Sequence, residues 1–192
     1  LSRINVKMKS DEESEINGIG PDICKEHIEM LLTQINKLTD GDVLVLAGSI
    51  PLSIPNTIYF DIMKMLSDRK IMIVVDATDK LLLNVLKLHP FLIKPNNYEL
   101  GDMLGVEIRN KEDVVTSAKK LQNMGARNVL VSMAGDGAVL VTENGEIYES
   151  KAHKGIIKNS VGAGDSMVAG FIFGYLRTKS YKESFEMGLC SG

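Results

Sequence analysis

Hydrophobic positions change period along the chain, and each change marks an element. Residues 3–9, RINVKMK, alternate apolar Ile4, Val6 and Met8 with polar neighbours, the period of two of a half-exposed strand. A polar, acidic stretch follows and reads as a turn region broken by Gly18 and Gly20, with Asp11-Glu12-Glu13 as solvated loop. Pro21 suits the first turn of a helix reaching about Lys37, with Ile23, His27, Met30, Leu31 and Ile35 roughly on one face. DVLVLAG, residues 42–48, is a continuous apolar run, as in a strand buried on both faces. Strand and helix then alternate: helix over 57–66, strand over 71–77, helix over 80–88, strand over 91–96. Helices over about 98–104 and 111–124 precede a strand over 128–133. From Gly137 to Ser150 the pattern becomes that of a hairpin turning at Asn144-Gly145, and a helix is expected from about Gly164 to Leu176.

This alternation predicts an α/β fold with a parallel sheet covered on both faces. In such sheets polar sites gather where strands end at their carboxyl edge. The edges here are Gly48-Ser49, Asp76, Lys94-Pro95-Asn96 and Ser132 to Gly137. The N-terminal strand suits a small sheet set apart.

Composition narrows the function classes. The 192 residues have room for one large α/β domain, and 44% hydrophobic content implies a sizeable core, with the ten methionines as filler. Net charge is −3, from 22 basic and 25 acidic residues, with no Trp, which argues against nucleic-acid binding. Cys24 and Cys190 are far apart and read as reduced thiols. No apolar run reaches the ~18 residues a membrane span needs, and no signal peptide is visible, so the cytosol is expected. The chain opens at Leu1 without an initiator Met and closes on Cys190-Ser191-Gly192 inside a stretch that reads as helix, so a fragment of a longer protein is expected.

Familiar phosphate and hydrolase motifs are missing. There is no GxxxxGK[ST], no HExxH and no GxSxG, and a dinucleotide GxGxxG would need glycine where Met167 stands. What remains is NSVGAGDSMVAGF, residues 159–171, with three glycines and an acid at a helix start. The first turn of a helix leaves about four N–H groups unpaired, and the peptide dipoles add positive charge there. Gly162, Ala163 and Gly164 carry no bulky side chain, so an anion can approach those amides. Asp165 beside them could accept a proton from a hydroxyl attacking a bound phosphoryl group. In a loose transition state, orienting that hydroxyl matters more than early proton removal. An Asp cap on a glycine-softened turn is the competing reading, and local pattern alone leaves both open.

The same stretch resembles the C-terminal signature of the PfkB (ribokinase-like) sugar kinases. VLAGSIP (45–51), IKPNNYEL (93–100) and VSMAGDGAVLV (131–141) agree with that family in order and spacing, and the resemblance covers essentially the whole chain. It implies a ribokinase-like three-layer α/β/α fold with a mostly parallel sheet. Residues 1–20 would belong to a small β lid and its connection, and 21–192 to a core incomplete at both ends. It implies transfer of the γ-phosphate of ATP to a sugar hydroxyl with Mg2+, on small-molecule substrates, without nucleic acid or membrane. Asp165 matches the catalytic base and Gly162, Ala163 and Gly164 the anion hole. Ser132, Met133, Ala134, Gly135, Asp136 and Gly137, with Gly164 and Asp165, match the ATP-binding positions. Asn96 and Glu99 match a pair associated with magnesium, held largely through waters; without the family they read as a cap and a first-turn acid. Arg3 matches the lid arginine on the phosphate already carried by the sugar, a task suited to guanidinium. Lys94 reads as no more than a charged strand end.

Within the family, RINVK and KPNNYEL most resemble members whose acceptor is fructose 1-phosphate, with tagatose 6-phosphate next. Lid sheets in the family often pair between subunits, which makes a homodimer plausible. Members also carry an N-terminal βαβ region and a C-terminal segment around adenine, neither of which is in this sequence. The 192 residues alone are therefore expected to bind ATP poorly and to show no turnover. A non-catalytic sugar-phosphate or nucleotide sensor on the same fold is the alternative, and the intact Asp165 favours an enzyme.

Overall fold

A computed structural model describes residues 4–9, 13–152 and 161–192. Arg3, Asn159 and Ser160 lie outside the described residues. The chain begins with a separate antiparallel pair, β1 (Asn5–Lys9) and β2 (Glu13–Asn17), with Val6 opposite Ile16. The stretch expected to be turn is thus largely a strand. Its apolar signal is a single residue, Ile16, and the ordering comes from β1, which supplies a backbone partner for each of its residues. Gly18 N–H closes the pair on the Ile4 carbonyl at 3.0 Å.

The main sheet runs β3 (Val43–Ala47), β4 (Met72–Asp76), β5 (Leu92–Ile93), β6 (Asn128–Ser132), β7 (Ala138–Val141) and β8 (Ile147–Ser150), in that spatial order. The first four strands are parallel, and β7 and β8 return antiparallel as the expected hairpin. One face is covered by α1 (Lys25–Ile35), α2 (Ile58–Met65), α3 (Asp79–Val85), α4 (Asn97–Leu104) and α5 (Lys111–Asn123). The other carries α6 (Ala163–Thr178) and α7 (Tyr181–Ser191). Alternation assigns the strand residues: Val75, Ile93, Val129 and Val131 pack on the first face, and Val74, Leu92, Leu130 and Leu140 on the second. This is the three-layer α/β/α arrangement. Among the described residues no helix is long and apolar enough to cross a membrane.

Two expectations need correcting. Helix α1 starts at Lys25, not near Pro21, and its inward face is Ile28, Leu32 and Ile35, while His27, Met30 and Leu31 are exposed. Strand β3 is not buried on both faces, since Val45 is 43% exposed. β3 stands at one end of the sheet, whereas α7 sits toward β8, where Tyr148 and Phe185 meet. The α6–α7 layer packs on Val74 of β4 and leaves β3's Val45 open.

Candidate active site

Parallel strands deliver their carboxyl ends to one edge, and there the polar residues converge. Val74 lies opposite Leu92, so two residues further on Asp76 lies opposite Lys94, both on the α6 face. Their side chains form an ion pair at 3.3 Å, with Lys94 7% exposed. Asn96 bridges to Ser132 at the end of β6, so the Lys94–Asn96 segment and the SMAGDG turn run side by side. Tyr59 on α2 donates its hydroxyl to the carbonyls of Ala47 (2.8 Å) and Gly48 (3.3 Å), fixing the turn after β3.

Electrostatics tie these elements together. Burial pushes the Asp76 carboxyl up from its ordinary value; Lys94 opposes this, and the charges of Asp165 and Glu99 add to the rise. The Tyr59 hydroxyl is also raised, by burial first and by Asp76 second. Asp76 therefore feels charges from the end of β5 and from the starts of α4 and α6.

The start of α6 separates the two readings of GAGD. Its N-cap is Gly162, at φ 81°, with no side-chain cap bond, and the helix opens with Ser166 N–H donating to the Gly162 carbonyl at 2.8 Å. By contrast α4, α5 and α7 are capped by Asn96, Asn110 and Ser180. Asp165 sits in the first turn, exposed, and does not act as the cap.

Asn96 and Glu99 form a reciprocal capping box. Asn96 Oδ1 accepts from Glu99 N–H at 2.8 Å, and Glu99 Oε2 accepts from Asn96 N–H at 2.8 Å. The cap role is therefore real, and it engages one oxygen of each side chain. The second carboxylate oxygen of Glu99 takes no part in the box, so the pair still fits a cation held through water. Among the described residues no three His, Cys, Asp or Glu side chains converge as a direct metal cage.

In SMAGDG, Ala134, Gly135 and Asp136 form an exposed 3-10 turn, whereas Met133 belongs to the core and Gly137 is buried. Met133 and Gly137 can thus meet a ligand only through backbone. Gly135 and Asp136 line a cavity of about 420 Å³ with Asn97, Arg109, Lys111 and Lys151. Arg3, the expected contact to the sugar's own phosphate, lies outside the described residues. Pattern reading noted Asp76 only as a strand end and gave Lys94 no role. The findable signal was their common spacing, each two residues past an apolar residue of the α6 face.

Similarity to known proteins agrees with this geometry. The chain is 46% identical over 191 residues to 1-phosphofructokinase of Bacillus subtilis, covering 100% of this chain and 63% of that protein. It is 32% identical over 173 residues to D-tagatose-1-phosphate kinase of Bacillus licheniformis, covering 90% and 57%. It thus spans about three fifths of the curated relatives it matches. Among crystal structures, a Staphylococcus aureus protein assigned as a phosphofructokinase superposes with a TM-score of 0.83 at 37% identity, over 96% of this chain and 60% of that one. Arabidopsis thaliana ribokinase shares the fold, with a TM-score of 0.76 at 20% identity over 97% and 60%. Residues 4–192 match the family described as pfkB family carbohydrate kinase, and the chain belongs to that family.

Proposed function

We propose that the protein carrying this chain is an ATP-dependent sugar-phosphate kinase, converting D-fructose 1-phosphate and ATP to fructose 1,6-bisphosphate and ADP. The observation that carries the reading is the start of α6, a first turn without a side-chain cap, with Asp165 exposed beside it and Lys94 packed against it. The unpaired amides around Gly162, Ala163 and Gly164 bind oxygens of the transferring phosphoryl group. Asp165 orients the sugar 6-hydroxyl for in-line attack and receives its proton as the new O–P bond forms and the bond to ADP breaks. The SMAGDG turn, 132–137, borders the nucleotide phosphates, and Arg3 holds the phosphate resident on the sugar. Asn96 and Glu99 would hold Mg2+ through water, and the ion would supply charge neutralisation on the phosphates. Residues 1–20 act as lid and connection to the core of 21–192. Exposed Ile4, Val6, Met8 and Ile16 on the lid strands suit pairing with a second copy. A cytoplasmic location follows from substrates that cells keep inside.

A second reading has a specific comparison behind it: D-tagatose 1-phosphate, named for the Bacillus licheniformis relative. It carries its phosphate on the same carbon as fructose 1-phosphate and differs at one stereocentre, unlike tagatose 6-phosphate, the alternative acceptor in the sequence reading. Measuring kcat/KM for both sugars decides between them. The catalytic assignment is tested by Asp165→Asn in the full-length protein. ATP affinity should stay near normal while kcat falls by roughly 10²–10⁴-fold. A kcat within about tenfold of the unsubstituted protein would refute the assignment.

A further inference from the structure

Lys94 is 7% exposed and sits across the strands from Asp76, 3.3 Å away. Burying an ammonium is costly unless a counter-charge and hydrogen bonds replace its water. Asp76 supplies that counter-charge, and it is itself largely buried, so the pair is fixed in the sheet edge.

Gly164 shows where the ammonium points. An ideal Cβ at that residue would stand 3.0 Å from Lys94 Nζ and 3.3 Å from its Cε. The backbone of Gly164 is not in the left-handed region, so its conformation does not demand glycine. What a Cβ would crowd is the end of the lysine, which would have to give by a few tenths of an ångström. The ammonium therefore lies against the first turn of α6, one residue from Asp165, at the end where helix N–H groups are unpaired.

Charge makes the placement consequential. Glu99 and Asp165 both act on Asp76, so three carboxylates border a site read as one for phosphoryl groups. A cation held among them offsets their repulsion of an incoming anion. An ammonium has three N–H donors, and the Asp76 contact leaves others for an anion on the helix side.

We infer that Asp76 is a positioning residue for phosphoryl transfer: it fixes the Lys94 ammonium against Gly164, where that ammonium binds an oxygen of the phosphoryl group docked on the first turn of α6. The inference rests on the kinase reading above and deepens it. Because charge on those oxygens is redistributed as the phosphoryl group moves, the fixed cation acts on kcat more than on ground-state binding.

The test is steady-state kinetics in the full-length protein with ATP·Mg2+ and fructose 1-phosphate. Asp76→Asn should lower kcat by roughly 10- to 100-fold with both KM values changed less than about threefold. Lys94→Met should lower kcat by about 10²–10³-fold. In the Lys94→Met background, Asp76→Asn should change kcat by less than about twofold, because the residue acts through the lysine. Gly164→Ala, which shifts the ammonium by a few tenths of an ångström, should likewise lose most of whatever effect it has in that background. A folded Asp76→Asn protein with kcat within about twofold of the unsubstituted one would overturn the inference, as would losses that multiply in the double variant. Should Asp76→Asn not fold, Lys94→Met decides, since normal kcat there also overturns it. Asp165→Asn measured in parallel keeps the two claims apart. Absence of turnover in the unsubstituted protein sinks the kinase reading and normal turnover in Asp165→Asn sinks that residue's catalytic role, whereas loss in Asp165→Asn beside normal turnover in Asp76→Asn sinks only the positioning role.

Discussion

Gly137 and Gly135 sit two residues apart in the same turn, and alanine should affect them in opposite ways. Gly137 has φ 93° and ψ −134°, a conformation that L side chains rarely adopt and whose strain costs about 1–3 kcal/mol. A Cβ there would also stand 1.9 Å from the Ser150 carbonyl oxygen and 2.7 Å from Lys151 Cα, both backbone atoms. Relieving that overlap means opening the β7–β8 end, and overpacking of this kind costs roughly 1–3 kcal/mol more. Gly137→Ala should thus lose on the order of 2–6 kcal/mol, a fall in Tm of roughly 4–24 °C for a domain of this size. Gly135 has no positive φ and open space where a Cβ would go, so Gly135→Ala should change stability by less than about 0.5 kcal/mol. If the turn cradles phosphates, the added methyl should nevertheless raise the KM for ATP. Urea unfolding of both variants, with ATP kinetics on whichever stays folded, reads the two effects separately. A Gly137→Ala loss below about 1 kcal/mol would show that the chain relaxes around the methyl and that the argument from backbone contact is wrong.

The remaining predictions concern charge and caps. Arg127 bonds to Glu143 at 2.6 Å and holds its carboxyl below the ordinary value of about 4.5; burial opposes this, and the Tyr181 hydroxyl assists. A lowered folded pKa gives stability that is present above the unfolded value and lost as pH falls through the folded one. Glu143→Gln should therefore flatten the loss of stability below about pH 4.5, and profiles of unchanged slope would count against the pairing. Asn96→Ala and Asn110→Ala each remove a helix cap and should each cost about 1 kcal/mol by denaturant unfolding. Only Asn96→Ala should raise the Mg2+ concentration needed for half-maximal activity; an equal shift in Asn110→Ala would remove Asn96 from the metal site.

Sequence pattern carried the core well because its strands announce themselves. Val43 to Ala47, Met72 to Val75 and Val129 to Val131 are continuous apolar runs, and all three lie in strands of the main sheet. β2 was missed for the complementary reason. Its residues have no local preference for a strand, and the structure arises from pairing with β1. Expected burial failed at β3 because an apolar run says what a strand tolerates, while its place in the sheet sets what covers it. α1 was displaced because Pro21 permits a helix start without requiring one, and the chain waits until Cys24, which takes the N-cap in extended backbone.

The candidate site divides along the same line between local and nonlocal information. Gly162 to Asp165 and Asn96 to Glu99 are legible because each group acts within one helical turn, and spacing in sequence is then spacing in space. Asp76 and Lys94 are eighteen positions apart, and nothing in either neighbourhood names the other. Two facts join them: β4 pairs with β5, and that pairing sets Val74 opposite Leu92. Once that register is known, a period of two carries both side chains to the same face and the same edge. Lys94 then is more than a charged strand end, because it is buried against α6. Gly164 gains a second reason to be glycine: small size lets an anion near the amides, and it also lets the lysine in from the sheet side. Both requirements meet at one helical turn, so substitutions at Gly164 and Lys94 should couple in kcat even though local sequence gives no reason to compare them.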